Sequence, residues 1–236
     1  MPNKMNYVKN SAITRALVIS HLIGTKMKKY KVLQNHYENC FRKHGATAKG
    51  MDWPNQNDLK KRFDVLTDII TPNGKNNSKI EILDLGCGIG LLIDFLDETN
   101  KLKNINYFGI DISEEMVDFA NEKYANYNFE ARDILQNKLI KESYDYVIMN
   151  GLFTEKREMS QKDMFDFFKS MVKETYAASR RGISFNLMSS HVDWKRDDLF
   201  HLELDVLTNF LIQNCSRNIV IRMDYQLYEY TVYVKK

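Results

Sequence analysis

Residues 81–90 read EILDLGCGIG, and this stretch decides the fold. An apolar run typical of a β-strand is followed by three closely spaced glycines and then by the apolar start of a helix. This succession lets a ligand contact bare backbone at the carboxyl end of the strand, where open α/β sheets bind their ligands. The stretch therefore predicts an α/β sheet with a ligand site at the end of its first strand.

The spacing of the glycines separates two classes of nucleotide ligand. A dinucleotide fingerprint requires G-x-G-x-x-G, but Gly86, Gly88 and Gly90 are spaced G-x-G-x-G, and Leu91 stands where the last glycine would fall. Asp84 lies two residues before the first glycine, and its carboxylate would repel a pyrophosphate but suit a cationic ligand. The pattern argues against NAD and favours S-adenosylmethionine, which bears an ammonium and a sulfonium.

Two later strand ends supply groups for the same ligand. Asp111 ends the second apolar run roughly twenty residues after the glycines, the usual separation for a carboxylate that accepts hydrogen bonds from a ribose diol. Ile112 would then face the adenine. After the third run, Asp133 can accept from the adenine amino group while Ile134 packs on the ring. The alternative for Asp133 is a helix cap, a common role of an aspartate after a strand.

From residue 80 onward, apolar β-type runs alternate with amphipathic helical stretches, the pattern of βαβ units in a largely parallel sheet. The predicted strands cover residues 80–85, 107–112, 127–131, 144–150, 182–188, 218–223 and 228–234. The predicted helices cover residues 57–70, 90–96, 113–124 and 162–176, and Ser113 caps the third of these.

The amino-terminal third has a different pattern. Residues 1–78 look helical and are interrupted by Gly45, Gly50 and Pro54. We expect them to form a helical cap on a core of residues 79–236, the two making one compact unit. A turn-rich connector, residues 71–78, joins them.

Composition limits the function classes. Thirty-four basic and 31 acidic residues leave a net charge of +3, so there is no general basic field of the kind that binds nucleic acid. The apolar stretch at residues 16–23 is too short to span a bilayer. Three scattered cysteines, with no C-x-x-C pair and no histidine at metal-ligand spacing, predict a reduced, cytoplasmic protein without a metal. The oligomeric state stays open.

In order and spacing, these motifs resemble those of the class I S-adenosylmethionine-dependent methyltransferases over residues 80–235. The fourth motif, YDYVIMNGLF at residues 144–153, delivers Asn150 and Gly151 to the same rim. The resemblance implies a Rossmann-like sheet of seven strands, mostly parallel with the last antiparallel, and helices on both faces. It also implies cofactor binding by Asp84, Gly86, Gly88, Asp111, Asp133 and Ile134. The rest of the predicted cofactor set is Cys87, which we expect to pack inside the turn, with Ile112, Met116, Asn150 and Gly151.

Outer segments resemble a bacterial subgroup often associated with surface-polysaccharide gene clusters. They are HGATAKGMDW at residues 44–53, the pair Arg62–Phe63, FNLMSS at 185–190 and YEYTVYV at 228–234. This resemblance suggests a small acceptor such as a nucleotide-linked or phosphorylated precursor of capsule or another surface glycan.

Within this subgroup, Arg62 could clasp the methionine carboxylate with its fork of donors. The alternative is an exposed arginine on an amphipathic helix. His44 and His191 are candidate general bases. The predicted acceptor-site residues are Tyr37, Asp52, Trp53, Phe153, Asn186 and Tyr228.

Three other functions compete with this one. A nucleic-acid methyltransferase is disfavoured because the fourth motif reads N-G-L-F rather than the N-P-P-Y or D-P-P-Y that grips a flipped base. A cofactor-binding subunit that supports a catalytic partner would share the binding motifs, but Asp52, Trp53 and Arg62 argue against it. An NAD-dependent oxidoreductase is disfavoured by the glycine spacing.

Overall fold

The computed structural model describes residues 29–72 and 78–236. The apolar stretch at 16–23, the first part of the predicted cap and most of the predicted connector lie outside these residues. None of the helices within the two described ranges has the length and apolar character needed to cross a membrane.

The described residues form eight strands and six α-helices. The strands are β1 (Ile80–Leu85), β2 (Ile105–Asp111), β3 (Asn128–Ala131), β4 (Tyr144–Met149), β5 (Ser179–Ser189), β6 (His201–Leu202), β7 (Ile219–Arg222) and β8 (Glu229–Lys235). The helices are α1 (Lys31–His44), α2 (Gln56–Thr67), α3 (Leu91–Glu98), α4 (Glu114–Lys123), α5 (Gln161–Ala178) and α6 (Leu204–Asn214).

All eight strands lie in one sheet of order β3-β2-β1-β4-β5-β8-β7, with β6 paired to β5. Strands β1 to β5 pair in parallel, and β8 lies antiparallel between β5 and β7. The prediction of a mostly parallel α/β sheet with one antiparallel strand is confirmed. Because the chain leaves β1 towards β2 on one side and later returns to β4 on the other, the carboxyl end of β1 is a topological switch point.

Each face of the sheet carries its own hydrophobic core, because successive side chains of a strand point to opposite sides. In β4, Val147 and Met149 pack in the core that contains α5 and α6, whereas Tyr146 and Ile148 pack in the core that contains α2, α3 and α4. The sheet is thus covered on both faces, which explains why its central strands read as continuous apolar runs rather than alternating ones.

The sequence pattern predicts neither β6 nor α6. Strand β6 has only two residues. Helix α6 begins after Glu203 without a side-chain cap, and it exposes Val206 and Ile212 on its outer side. It therefore lacks both the start signal and the polar face by which a helix is recognised. The predicted cap at Ser113 is present, since the Ser113 hydroxyl oxygen accepts a hydrogen bond from the Met116 N–H at 3.4 Å.

Helix α2 lies within the predicted cap, but it packs against the sheet in the same hydrophobic core as α3 and α4. Leu66 is fully buried, and the hydroxyl of Ser184 in β5 donates a 2.8 Å hydrogen bond to the Leu66 carbonyl. Tyr233 of β8 likewise donates its hydroxyl to the carbonyl of Val65. Two strands in the middle of the sheet thus hold this helix through buried hydrogen bonds.

A Leu66→Ala substitution should lower the free energy of unfolding by about 2–5 kcal/mol, because it removes a fully buried side chain and leaves a cavity. Lys61→Ala on the exposed side of the same helix is the control and should change stability by less than about 0.5 kcal/mol. Urea unfolding followed by circular dichroism measures both. A Leu66→Ala loss no larger than that of the control would contradict the packing of α2 on the sheet.

Candidate functional site

A pocket lies at the carboxyl ends of β1, β2 and β4, at the switch point of the sheet. Most of the residues predicted from sequence to bind the cofactor or the acceptor line it. These are Asp84, Gly86, Cys87, Gly88, Asp111, Ile112, Met116, Asp133, Ile134, Asn150, Gly151, Tyr37 and Trp53. Helix α1 and the residue before it add Tyr30, Leu33 and Gln34 to the lining.

The turn after β1 requires its glycines. Gly88 and Gly90 have φ angles of +51° and +81°, in a region that residues other than glycine rarely adopt. A Cβ on Gly88 would lie 2.7 Å from the sulfur of Met51, and one on Gly90 would lie 2.7 Å from the ring of Tyr124. The turn can therefore bring its backbone close to neighbouring groups only because it carries no side chains there.

Asp111 holds this turn against the end of β2. One of its carboxylate oxygens accepts a 2.8 Å hydrogen bond from the Gly88 N–H, and the other accepts a 2.9 Å bond from the Ser113 N–H. Burial raises the pKa of this carboxyl group, while the backbone donors oppose that rise. The carboxylate lines the pocket, so its remaining lone pairs can accept from a ligand.

Asp84 contributes a second buried carboxyl group. It is 4% exposed, and the Tyr107 hydroxyl donates to it at 2.6 Å. Burial raises its pKa to about 7, with a smaller contribution from nearby Asp111. The group therefore titrates near neutral pH, and a cation brought against it would favour its charged form.

Asp133 already has several partners. The hydroxyl of Tyr30 and the side-chain amide of Gln136 each donate to one carboxylate oxygen at 2.6 Å, and the Leu135 N–H donates to the other at 3.1 Å. Ile134 is buried beside it. An adenine amino group at this position would thus compete with Tyr30, a partner that the sequence pattern does not predict.

The end of the pocket next to β4 is formed by Tyr37, Trp53, Asn150 and Gly151. The Tyr37 hydroxyl donates to the Gly151 carbonyl at 3.3 Å. The ring of Trp53 lies so close to Gly151 that a Cβ there would approach it to 2.6 Å. The side-chain oxygen of Asn150 is buried and has no hydrogen-bond partner among the described residues. This end combines two aromatic walls with one available acceptor.

Arg62 and Asn186 do not line the pocket. The Arg62 Nε atom lies 2.8 Å from a carboxylate oxygen of Glu229, and its guanidinium stacks on the Trp53 ring, 4.4 Å from the centroid. The charge of Arg62 is thus paired with Glu229 and lies over Trp53, and Arg62 is not among the residues that line the pocket. Asn186 is fully buried, and its side chain is bonded to Gly151 and Glu229, so it is not available to an acceptor.

Three other predicted residues also lie away from the pocket lining. Phe153 is fully buried and packs edge-on against Phe168 with ring centroids 5.0 Å apart, because the chain after β4 turns into the core. Tyr228 is 56% exposed, and its hydroxyl donates to Asp193 at 2.7 Å. Asp52 directs its carboxylate to His36 rather than into the pocket.

The two candidate bases, His44 and His191, are likewise absent from the pocket lining. His44 is the last residue of α1, and its pKa is lowered by desolvation and by the neighbouring Lys49 and Lys43. His191 is exposed in the segment after β5. The lining of this pocket therefore gives no support for either histidine as a general base.

His36, Cys40 and Asp52 form a cluster that sequence reasoning missed. No histidine was recognised at metal-ligand spacing, but Cys40 lies at position i+4 from His36 on α1, which places the two on one face of the helix. The donor atoms of all three residues lie within 4.8 Å of one another. The His36 Nε2 and Asp52 carboxylate atoms are 2.7 Å apart, closer than the roughly 3.3 Å between two such ligands of a tetrahedral zinc ion. A direct hydrogen bond accounts for this pair.

Sequence reasoning also missed Glu229. It lies in β8 with 1% of its surface exposed and contacts both Arg62 and Asn186. One signal was available, because a single carboxylate within the aromatic and β-branched run YEYTVYV is unusual in a buried strand. Which cation pairs with it, however, depends on a helix more than 160 residues earlier in the chain.

Comparisons with known proteins agree with this geometry. A family model described as a methyltransferase domain matches residues 76–187. A protein of Mycobacterium tuberculosis named as a methyltransferase is 34% identical over 160 residues, which cover 66% of this chain and 92% of that protein. A malonyl-[acyl-carrier protein] O-methyltransferase of Acetivibrio thermocellus is 30% identical over 125 residues, or 52% of this chain and 40% of that protein.

Among solved structures, the fold is similar to that of magnesium protoporphyrin IX methyltransferase from Synechocystis PCC 6803 with bound S-adenosylhomocysteine. The TM-score is 0.59 at 14% identity, and the match covers 90% of this chain and 98% of that one. At this level of identity, the likeness concerns the fold.

An Asp84→Asn substitution should stabilise the protein, and more so at pH 8 than at pH 5. Between the ordinary aspartate pKa and about 7, the folded protein keeps a proton that the unfolded chain has lost, so this group reduces stability as pH rises through that range. Asparagine does not titrate and keeps an acceptor for Tyr107. We expect a gain on the order of a few kcal/mol at pH 8.

Urea unfolding at the two pH values measures this difference, with Asp97→Asn at an exposed position as the control. The control should show no such dependence on pH. An Asp84→Asn gain that is the same at pH 5 and pH 8 would mean that the folded protein does not raise the pKa of this carboxyl group.

Proposed function

The chain belongs to the class I S-adenosylmethionine-dependent methyltransferase family, and we propose that it methylates a small-molecule acceptor held between Tyr37, Trp53 and Gly151. One observation carries this proposal. A single pocket runs from the glycine turn and Asp111 to these three residues, so a cofactor and an acceptor can meet inside it.

S-adenosylmethionine is the cofactor, and when bound it supplies an electrophilic methyl group on a sulfonium. In our proposal the bare backbone of the glycine turn lies against it, and Asp111 accepts hydrogen bonds from its ribose. Asp84 and the unpartnered side-chain oxygen of Asn150 suit its cationic end, because both are acceptors that line the pocket. Ile112, Met116 and Ile134 supply the apolar surface for the adenine.

The acceptor end of the pocket aligns its ligand and excludes water. The lining of the pocket as a whole is mostly apolar and includes Leu33, Phe63, Leu152, Phe167 and Met171 beside the aromatic rings. Methyl transfer gains much of its rate from holding the two reacting atoms in line, and a dry chamber supports this. Tyr37 is a proton donor here and not a base, because burial raises the pKa of its hydroxyl well above the ordinary value.

The charge of the lining bears on the acceptor. Arg132 is the one arginine or lysine of the lining within residues 29–72 and 78–236, and it donates to the carbonyls of Asn137 and Lys138. A phosphate would thus find no free cation beside the cofactor. We propose that the methylated part of the acceptor is uncharged or weakly charged, and that any phosphate lies outside the chamber.

For the acceptor itself we propose a precursor of a surface glycan, such as a nucleotide-linked sugar. The support is the resemblance of four outer segments to a subgroup associated with polysaccharide clusters, together with a chamber suited to the sugar end of such a molecule. Small carboxylic acids form a second class to test, since one relative is named for O-methylation of a malonyl group.

Calorimetric titration tests the cofactor site. Wild-type protein should bind S-adenosylmethionine and S-adenosylhomocysteine with micromolar dissociation constants and should not bind NAD. Asp111→Ala should weaken both by about 10- to 100-fold, because a charged hydrogen-bond acceptor is worth about 1.5–3 kcal/mol. Asp111→Asn, which keeps an acceptor for the Gly88 N–H, separates ribose binding from collapse of the turn. Unchanged affinity in both variants would remove Asp111 from the site.

Transfer of a labelled methyl group from S-adenosylmethionine tests the acceptor class. Nucleotide-linked sugars, sugar phosphates, small carboxylic acids and transfer RNA are offered separately to the wild-type protein. We expect label in a nucleotide-linked sugar, and a Trp53→Ala variant should lose most of that transfer while it retains cofactor affinity. Label in RNA alone would overturn the small-molecule proposal.

A further inference from the structure

A connected series of contacts borders the acceptor end of the pocket and links five residues that are far apart in sequence. They are Trp53, Arg62, Gly151, Asn186 and Glu229. Only Trp53 and Gly151 of these five line the pocket. The other three lie behind the wall that those two form.

Glu229 is at the centre of this series of contacts, because it contacts both Arg62 and Asn186. Its carboxylate is 1% exposed, so it would be costly to bury without a partner. One oxygen lies 2.8 Å from the Nε atom of Arg62, in an ion pair whose alignment is not that of a hydrogen bond. The other oxygen accepts a 3.2 Å hydrogen bond from the side-chain amide of Asn186. The two oxygens thus contact two different residues. Each contact begins a separate series of contacts, which we call an arm.

The first arm reaches Gly151 through Asn186. The side-chain oxygen of Asn186 accepts a 2.8 Å hydrogen bond from the Gly151 N–H. Gly151 has a φ of +74°, and its carbonyl accepts from Tyr37 and Thr154. Gly151, in the turn after β4, is therefore hydrogen-bonded at both its N–H and its carbonyl group. Asn186 is the acceptor for the N–H.

The second arm reaches Trp53 through Arg62. The central carbon of the Arg62 guanidinium lies over the Trp53 ring, 4.4 Å from its centroid. The far edge of the same ring lies against Gly151, where a Cβ would approach it to 2.6 Å. Both arms that leave Glu229 meet again at the contact between Trp53 and Gly151.

We propose that Glu229 is a positioning residue that sets the separation of Trp53 and Gly151, and thereby the width of the acceptor end of the pocket. It acts through Arg62 on the indole and through Asn186 on the turn. The proposal rests on the proposed function, because it assumes that the acceptor lies between these two walls. Asp84 and Asp111, to which we assign the cofactor, form their hydrogen bonds with Tyr107, Gly88 and Ser113 and not with Arg62, Asn186 or Glu229, so cofactor binding should depend on Glu229 much less than acceptor binding does.

The first test compares the kinetics of Glu229→Gln with those of wild type. Glutamine keeps the shape of the side chain but removes the charge that holds Arg62. We expect kcat/KM for the acceptor to fall about 10- to 100-fold, as misplacement of a bound group by about 1 Å can cost. The dissociation constant of S-adenosylhomocysteine should stay within about threefold. A merely structural role would weaken both together, and that result would overturn the proposal.

Arg62→Lys is the second variant, and it covers the case in which Glu229→Gln does not fold. Lysine retains a cation for the buried carboxylate but lacks the flat group that stacks on Trp53. Arg62→Lys should lower kcat/KM for the acceptor as Glu229→Gln does, and it should lower the free energy of unfolding less than Glu229→Gln does. Lys61→Gln, next to Arg62 on the exposed side of α2, is the matched control and should leave both kinetics and affinity unchanged.

Tryptophan fluorescence keeps the test independent of the acceptor's identity. The chain has two tryptophans, and Trp194 is 70% exposed, so Trp194→Phe leaves Trp53 as the single reporter. In this background, Glu229→Gln and Arg62→Lys should shift the Trp53 emission to longer wavelength and increase its quenching by acrylamide. Unchanged emission in both variants would overturn the positioning role. If wild-type protein methylates none of the acceptors offered but the emission shifts, the proposed acceptor fails and the positioning of Trp53 stands.

Discussion

The carboxylate of Asp111 accepts hydrogen bonds from the N–H groups of Gly88 and Ser113, and the pocket depends on this arrangement. It joins the glycine turn after β1 to the start of the helix after β2. Because β1 and β2 run in parallel register, both turns reach the same edge of the sheet. The pocket therefore opens at a place where the backbone is bare, fixed and lined by acceptors.

Two buried carboxyl groups, those of Asp84 and Glu229, lie near this edge of the sheet, and they differ in the charge of their partners. Among residues 29–72 and 78–236, Asp84 accepts a hydrogen bond from the Tyr107 hydroxyl and has no cationic partner. Burial raises its pKa to about 7, and a cation bound beside it would favour the charged form. Glu229 is paired with the guanidinium of Arg62, which offsets the effect of burial on its pKa. The carboxyl group beside the ligand thus has a neutral partner, and the one behind the wall has a cationic partner.

The positions of most strands and of the main helices along the chain could be predicted from sequence because their apolar patterns are local. The elements that escaped prediction had weak local signals, as in the short β6 and the uncapped α6. Placement of side chains failed for a different reason. Phe153 follows β4 and Asn186 lies within β5, and we expected both at the acceptor site, but the turn after β4 and the pairing of β5 with β8 place their side chains in the interior.

The sequence by itself determined the strand, glycine turn and helix of residues 81–96, the acidic residues at the next strand ends and, from these, the class of cofactor. Such features depend on neighbours within a few residues, where backbone geometry and residue type act directly. Only the tertiary structure decided that Arg62 faces Glu229, that Tyr30 meets Asp133 and that Trp53 lies against Gly151. Each of these contacts joins separate elements, and the partner is selected by how those elements pack.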